Sequence, residues 1–183
     1  MRGLAKGVTA AVVGMLLGAP ALRAQAEFAV GGGVSVPTGD FDDFFKLGWH
    51  GTAAVSFVSQ NIPVGFQLDG TYSQFSDESS LDIKDQLIYG TGNVVYKFKT
   101  SEESRFRPYL IGGGGVYNLK PKGDDVASGV GDQTKFGINA GAGFDFKAGA
   151  AGLFIEGRFH NVFTDGPDTK FIPITVGVRF GGS

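Results

Sequence analysis

Residues 156–163, EGRFHNVF, concentrate ionisable groups at alternating positions. Glu156, Arg158 and His160 could supply a general acid or base and a fixed positive charge, which is the equipment of many active sites. In an extended strand the three side chains share one face, because alternate residues point the same way. The same groups could instead form buried ion pairs inside a fold. The choice between an enzyme and a structural network therefore depends on the elements that position them.

The other motifs that could bind a ligand are incomplete. Four consecutive glycines at 112–115 could cradle a phosphate, but that motif needs a helix directly after the glycines, and VYNL continues as strand. The acidic loop 38–48 lacks the regularly spaced oxygen ligands and closing Glu of a calcium loop. With His50 and His160 as the two histidines, a metal site has little support. We therefore predict no catalytic residues, no metal and no cofactor.

The composition is that of one folded domain. The chain has 183 residues, 42% of them hydrophobic, with 31 Gly and no Cys. The absence of Cys excludes a disulfide scaffold and thiol chemistry. The formal net charge is −2 and no basic run is present. We expect no binding to nucleic acid.

Residues 1–26 have the layout of a secretory signal peptide. Arg2 and Lys6 precede an apolar run at 8–17, and small residues end at Ala26. The apolar run is too short to span a membrane as a helix. We predict cleavage after Ala26, with residues 27–183 forming the mature domain. Thirteen basic and eighteen acidic residues remain, a net charge of −5.

The mature chain alternates apolar residues with small or polar ones, which is typical of strands with two different faces. In residues 135–147, Phe136 and Ile138 alternate with Gly137 and Asn139. Each segment has about the 9–11 residues that a tilted membrane strand needs. The eight predicted strands are 27–37, 48–59, 64–74, 86–98, 107–119, 135–147, 153–163 and 171–180.

The connections alternate in length. Long polar loops follow the odd-numbered strands and shorter links follow the even-numbered ones, which is the asymmetry of outer-membrane barrels. We expect residues 38–48 to form a folded loop tip on the barrel rim, with aromatic side chains that could contact a partner or lipid headgroups. The predicted long loops are 38–47, 75–85, 120–134 and 164–170, and the shorter links are 60–63, 99–106 and 148–152.

Alternation alone leaves two barrels open, because a soluble lipocalin-like barrel turns its apolar face inward and a membrane barrel turns it outward. The non-apolar face here consists largely of Gly, Ala, Ser, Thr and Asn, which suits a narrow filled lumen better than a solvated surface. We therefore predict an outward apolar face. The charged residues then form a structural network in the lumen, in which Arg158 is expected to pair with Asp145 or Glu156. The predicted network consists of Asp69, Lys97, Asp145, Glu156, Arg158, His160 and Arg179.

The glycine run leaves the register of the fifth strand open. One register places Tyr109, Ile111, Tyr117 and Leu119 outward, with Gly112 and Gly114 facing the lumen. A bulge in the run would shift this assignment by one residue.

Several stretches of the sequence resemble the outer-membrane β-barrel domain family, and in particular its small OmpA/OmpX-like members. They are FAVGGGVSVPTGDF near the start, RPYLIGGGGVY in the middle, and LFIEGRFHNVFTDG with FIPITVGVRF at the end. The resemblance covers essentially the whole mature chain. It implies an all-β fold, an eight-stranded antiparallel up-and-down transmembrane barrel, with both termini in the periplasm and outer-membrane lipid as its surroundings. The sequence departs from the family in one respect, since Gly181, Gly182 and Ser183 follow the last aromatic residue, Phe180.

The expected function is that of a non-enzymatic outer-membrane barrel with a side-chain-filled lumen. It would act as a monomer, through structural support or through surface contacts of its long loops. One alternative is a lipid-modifying enzyme. The barrels that deacylate lipid A use a His and a Ser on a lipid-facing edge, whereas His160 is predicted to face inward and Val162 stands two positions beyond it. The other alternative is a soluble periplasmic barrel that binds an apolar ligand.

Overall fold

A computed structural model describes residues 24–39, 46–59, 62–76, 84–101, 104–122, 133–148 and 151–181. Each strand pairs antiparallel with the next in chain order, and the last pairs with the first to close a barrel. The predicted eight-stranded up-and-down barrel is confirmed. Among the described residues, no helix is long and apolar enough to cross a membrane. The strands are β1 (Ala24–Thr38), β2 (Gly48–Ser59), β3 (Val64–Ser76), β4 (Lys84–Lys97), β5 (Phe106–Lys122), β6 (Gln133–Ala148), β7 (Ala151–Val162) and β8 (Thr169–Phe180).

Most strands extend a few residues beyond their predicted ends, because backbone pairing continues where the apolar alternation stops. The extension is largest in β1, which begins at Ala24, and in β5, which runs to Lys122. β1 begins at Ala24, inside the predicted signal peptide, and the cleavage site stays a prediction. The predicted folded tip of the first loop lies mostly outside the described residues, which omit 40–45.

The apolar side chains of the strands face outward. Phe66, for example, is 62% exposed, while its neighbour Gln67 is buried in the lumen. The outward face carries at least one exposed large apolar side chain on every strand, and the inward face carries most of the buried charged and polar side chains. This is the inverse of a soluble barrel, so the alternative of a periplasmic apolar-ligand carrier is wrong.

The outward assignment made for β5 is wrong. Tyr117 is fully buried in the lumen, and its neighbour Val116 is 58% exposed. Tyr109 and Ile111 are also buried, and Leu119 packs against a buried cluster in the lumen. Pairing with β4 and β6 continues without interruption through the glycines, so no bulge is involved.

The inward glycines of β5 lie where side chains have no room. A Cβ atom at Gly113 would contact the carbonyl oxygen of Gly92 and lie 2.6 Å from Asn93 Oδ1. The outward neighbour Gly112 is less crowded, since the nearest atom to its Cβ would be the carbonyl oxygen of Asn139 at 3.4 Å. Glycine at 113 therefore permits a close approach of β5 to β4 inside the barrel.

Candidate functional site in the barrel lumen

The seven predicted lumen residues all lie at inward positions, on β3, β4, β6, β7 and β8. Strand alternation places them there, because each is flanked by outward apolar or small neighbours. Six of them are buried, and Asp145 is partly exposed at one end of the barrel. The structure brings six of the seven into two groups of ion pairs and places His160 among aromatic rings.

The central group is built around Arg158 on β7. Its Nη1 donates to Asp69 Oδ1 at 2.9 Å, and its Nε donates to Glu156 Oε1 at 2.5 Å. Tyr109 donates its hydroxyl to the other Glu156 oxygen at 2.8 Å. Of the two predicted partners of Arg158, Glu156 is therefore present, while the place expected for Asp145 is taken by Asp69.

Asp69 collects hydrogen bonds from its own side of the barrel. Thr91 donates to Oδ2 at 2.5 Å, while Asn93 and Gln67 donate to Oδ1 at 3.0 and 3.1 Å. Four donors, including Arg158, thus surround one carboxylate. A buried carboxylate is tolerated when such donors and a cation replace its hydration.

The second group lies near the chain termini and joins β1, β4, β6 and β8. Lys97 Nζ lies 2.7 Å from Glu27 Oε2 and 3.4 Å from Asp145 Oδ2. Arg179 Nη1 lies 3.4 Å from the same Glu27 oxygen, and Arg179 Nε lies 3.2 Å from Asp145 Oδ1. This last contact is an ion pair without hydrogen-bond geometry. Each cation is therefore shared between two carboxylates.

Glu27 is a member of the network that the sequence reasoning missed. It is predicted as the first mature residue, yet it is buried in the lumen. The signal was available in the alternation, because Glu27 and Ala29 occupy one face of β1 while Phe28 and Val30 occupy the other.

Polar side chains connect the two groups of ion pairs. Arg179 Nη1 lies 3.4 Å from Ser56 Oγ, which donates to Gln67 Oε1 at 3.0 Å. Gln67 in turn donates to Asp69 in the central group. The lumen therefore holds a continuous network whose charged members come from six strands, with three cations and four carboxylates for a net charge of −1.

An aromatic plug fills the other end of the lumen, beside the long loops. Tyr89 and Tyr117 stack at 5.0 Å between ring centroids, and His160 stacks on Phe171 at 4.9 Å. Tyr117 also hydrogen-bonds His160 Nδ1 through its hydroxyl at 2.8 Å. Sequence alternation misses the plug because it assigns Tyr117 outward. We define the aromatic plug as Phe75, Leu87, Tyr89, Tyr117, His160, Val162 and Phe171.

The second histidine, His50, lies in a separate polar contact between β1, β2 and β8. Its Nδ1 lies 3.0 Å from Ser35 Oγ and its Nε2 lies 2.9 Å from Thr175 Oγ1. Ser35 and His50 are both buried in the lumen. The arrangement cross-links three strands.

The charged side chains of the lumen are arranged so that each lies close to a group of opposite charge. Glu156, Arg158 and His160 share one face of β7, as the sequence predicts, but their functional groups are directed to different partners. In the described part of the chain, no cluster of His, Asp and Glu side chains could hold a metal ion. The side-chain contacts in the lumen therefore cross-link the strands.

A closed eight-stranded antiparallel barrel with an apolar exterior and a charged lumen defines the class of transmembrane β-barrels. The chain belongs to the family described as "Outer membrane protein beta-barrel domain", whose model matches residues 9–180. It is therefore an outer-membrane protein.

Solved structures show the same fold at low sequence identity. Neisserial surface protein A is 16% identical with a TM-score of 0.63, and the match covers 85% of this chain and 96% of that one. The attachment invasion locus protein Ail of Yersinia pestis is 18% identical with a TM-score of 0.56, covering 86% and 99%. A major outer membrane protein of Thermus thermophilus is 10% identical with a TM-score of 0.54, covering 86% and 99%. No curated protein matches the chain by sequence.

Proposed function

We propose that this protein is a non-enzymatic, monomeric outer-membrane barrel with a side-chain-filled lumen, which supports the membrane or makes surface contacts through its long loops. The observation that carries the proposal is the continuous lumen network, in which the charged groups are engaged with each other across the barrel. An eight-stranded barrel is just wide enough for side chains to fill its interior. Charged side chains that are paired in this way stabilise the barrel by joining its strands, and they are not free to react.

The surroundings of His160 support a non-enzymatic role. A barrel that modifies lipid needs a nucleophile and a base that reach the lipid. The imidazole of His160 is buried in the lumen, stacked on Phe171 and hydrogen-bonded to Tyr117. Its neighbours on the lipid-facing side of β7 are Phe159 and Asn161, and neither is a nucleophile of the kind such enzymes use.

The charge of the loop end favours a cationic surface partner. Twelve acidic and six basic residues lie in the four long loops and the strand ends that flank them, a net charge of −6. Ail of Yersinia pestis has been solved in complex with the heparin analogue sucrose octasulfate. A net negative loop end would repel such a polyanion. These loops therefore suit a basic protein surface. The residues counted are 38–47, 76–85, 120–135 and 163–170.

Mass spectra of lipid A distinguish the proposal from the enzyme. We expect identical spectra from cells that express the wild-type protein, the His160→Ala variant or an empty vector. A lipid A species that appears only with the wild-type protein would contradict the proposal, especially if His160→Ala abolishes it.

A deletion strain separates the two forms of the proposed role. If the barrel supports the membrane, deletion should increase uptake of a hydrophobic dye, and a variant with shortened loops should restore the barrier. If the loops act by surface contact, deletion should leave the dye uptake unchanged and reduce binding to a cationic protein surface, which the shortened variant should not restore. A deletion that changes neither would contradict both forms.

A further inference from the structure

The mouth of the lumen at the short-link end of the barrel carries four basic residues. Each lies an even number of positions from a lumen residue of the strand that it belongs to or continues, namely Lys97, Tyr109 or Asp145. Alternation therefore turns these side chains toward the lumen. In outer-membrane barrels the short-link end faces the periplasm, so this mouth opens there. We define the cationic mouth as Lys99, Arg105, Arg107 and Lys147.

Phenylalanines occupy the outward positions next to these cations in the chain. Phe98, Phe106 and Phe146 are each 40% exposed. Phe106 stacks on Phe144 at 4.7 Å and meets Phe146 edge-on at 5.2 Å. Since neighbouring residues of a strand face opposite ways, the rings take the lipid side and the cations take the lumen side. The four cations are exposed or half-buried, so they are accessible from the periplasm.

Backbone pairing arranges the four cations as two pairs. Lys147 donates its backbone N–H to the carbonyl oxygen of Arg105 at 2.8 Å, so these residues are opposite each other on adjacent strands. On the other side of β5, the pairing with β4 continues past Lys97 and sets Lys99 beside Arg107. The two pairs are two positions apart along β5, which is a separation of about 7 Å.

The positive charge of the cationic mouth is not neutralised by the lumen network. None of its four residues forms an ion pair with another residue that the structure describes. Asp145 is opposite Arg107 in the pairing of β5 with β6. Its carboxylate is engaged elsewhere, by Lys97 at 3.4 Å and by Arg179 at 3.2 Å.

The floor of the cationic mouth is filled by lumen side chains. Arg179 lies over the ring of Tyr109, with Cζ 5.7 Å from the ring centroid. Lys97 is buried there and lies 2.7 Å from Glu27. A ligand of this mouth therefore lies across it and contacts the barrel at its end, without entering the lumen.

We propose that the cationic mouth binds an extended acidic segment of a periplasmic protein. In an extended chain, alternate side chains share one face and lie about 7 Å apart, which matches the separation of the two cation pairs. Two acidic residues at alternate positions each meet one pair, whereas a single small anion reaches only one. The site lies at the opposite end of the barrel from the long loops, and it does not depend on the function proposed for them.

Charge asymmetry confines such binding to one end of the molecule. The four cations of the mouth and the two acidic residues of the link between β4 and β5, Glu102 and Glu103, have a net charge of +2. The loop end carries a net charge of −6. An acidic segment is therefore attracted at the periplasmic end and repelled at the loop end.

Fluorescence anisotropy of labelled peptides, with the whole protein in a nonionic detergent, tests the site. Two peptides have the same content of Glu and Thr. In one peptide Glu and Thr alternate, and in the other pairs of Glu alternate with pairs of Thr, which leaves no two Glu at alternate positions. We expect the alternating peptide to bind more tightly, because its carboxylates share one face, and to bind less tightly as the ionic strength rises. Equal binding of the two peptides, or binding of neither, would overturn the proposal.

Arg107→Gln/Lys147→Gln removes one cation from each pair. An exposed ion pair contributes up to roughly fivefold in affinity, so this variant should bind the alternating peptide about twofold to twenty-fivefold less tightly. The matched control is Lys135→Gln/Lys170→Gln, which removes the same charge at the loop end and should bind like the wild type. Heat-modifiable migration on a gel verifies that each variant is folded.

Removing acidic charge beside the mouth should have the opposite effect. Glu102→Gln/Glu103→Gln raises the net charge of this end and should tighten the binding of the alternating peptide. Unchanged binding in the variant of the mouth would overturn the site, and an equal loss in the loop-end control would overturn its location. If inorganic phosphate displaces the alternating peptide at an equal concentration of anion, the mouth is a site for small anions and the proposal fails.

Discussion

At the scale of single residues, Arg158 has the most consequential position in the lumen. It lies between Asp69 and Glu156, two buried carboxylates on different strands, and it is the cation that contacts both. Tyr109, Thr91 and Asn93 add hydrogen bonds to these carboxylates but no positive charge. The stability of the central group therefore depends on one guanidinium.

Arg158→Ala should reduce the free energy of unfolding by about 3–5 kcal/mol, because it leaves two buried carboxylates without their shared cation. Urea unfolding in lipid vesicles, followed by the fluorescence of Trp49, measures the change. The double variant Arg158→Ala/Glu156→Gln should recover part of the loss, because one of the uncompensated charges is removed. Equal stability of Arg158→Ala and the wild type would show that the ion pairs contribute nothing.

At the scale of elements, alternation predicted the faces of seven strands and failed on β5. In the other strands several large apolar residues mark the lipid face at alternate positions, so the phase is unambiguous. In β5 four glycines separate two short apolar runs, and glycine has no preference for either face. The register of β5 depends on Tyr109 and Tyr117, whose hydroxyls hydrogen-bond Glu156 and His160 in the lumen. These partners come from β7, so the local sequence of β5 could not reveal them.

For the candidate site in the lumen, the sequence predicts which residues face inward but not which of them contact each other. The seven charged and imidazole-bearing positions followed from alternation. Their grouping did not, because it depends on how far each strand is shifted against its neighbours. Arg158 meets Asp69 across the lumen, 89 positions away in the chain. The aromatic plug was missed because alternation assigned Tyr117 outward, and its other rings come from four further strands, β3, β4, β7 and β8.

Adjacent glycines in β5 provide a test of the register. Gly113→Ala should destabilise the barrel by about 1–3 kcal/mol, because its Cβ would overlap the backbone of β4. Gly112→Ala faces lipid and should be neutral or slightly stabilising, by up to about 1 kcal/mol. Unfolding free energies of the two variants in the same vesicles give the comparison. The reverse order would restore the register that places Gly112 inside.

At the scale of the whole molecule, the lumen is closed at two levels by different chemistry. The ion pairs lie toward the chain termini and in the centre, and the aromatic plug lies beside the long loops. Ion pairs can be solvated by entering water, and their contacts exchange readily for contacts with water. Stacked rings offer water few hydrogen-bonding partners. The plug is therefore the more effective barrier to ion flow.

Removing rings from the plug should open the barrel to ions. We expect the wild-type protein to show no stable conductance in a planar bilayer, and Phe171→Ala/Tyr117→Ala to show discrete openings. The two side chains are fully buried, and Phe171 also supports the ring of His160, so their loss leaves a continuous gap at the loop end. Phe159→Ala, which removes a lipid-facing ring from β7, should behave like the wild type.

Because a buried Phe→Ala change costs about 3–5 kcal/mol in a packed core, heat-modifiable migration must first show that the double variant is folded. A folded double variant that stays closed would assign the barrier to the ion-pair network, and conductance of the wild type would contradict the filled lumen.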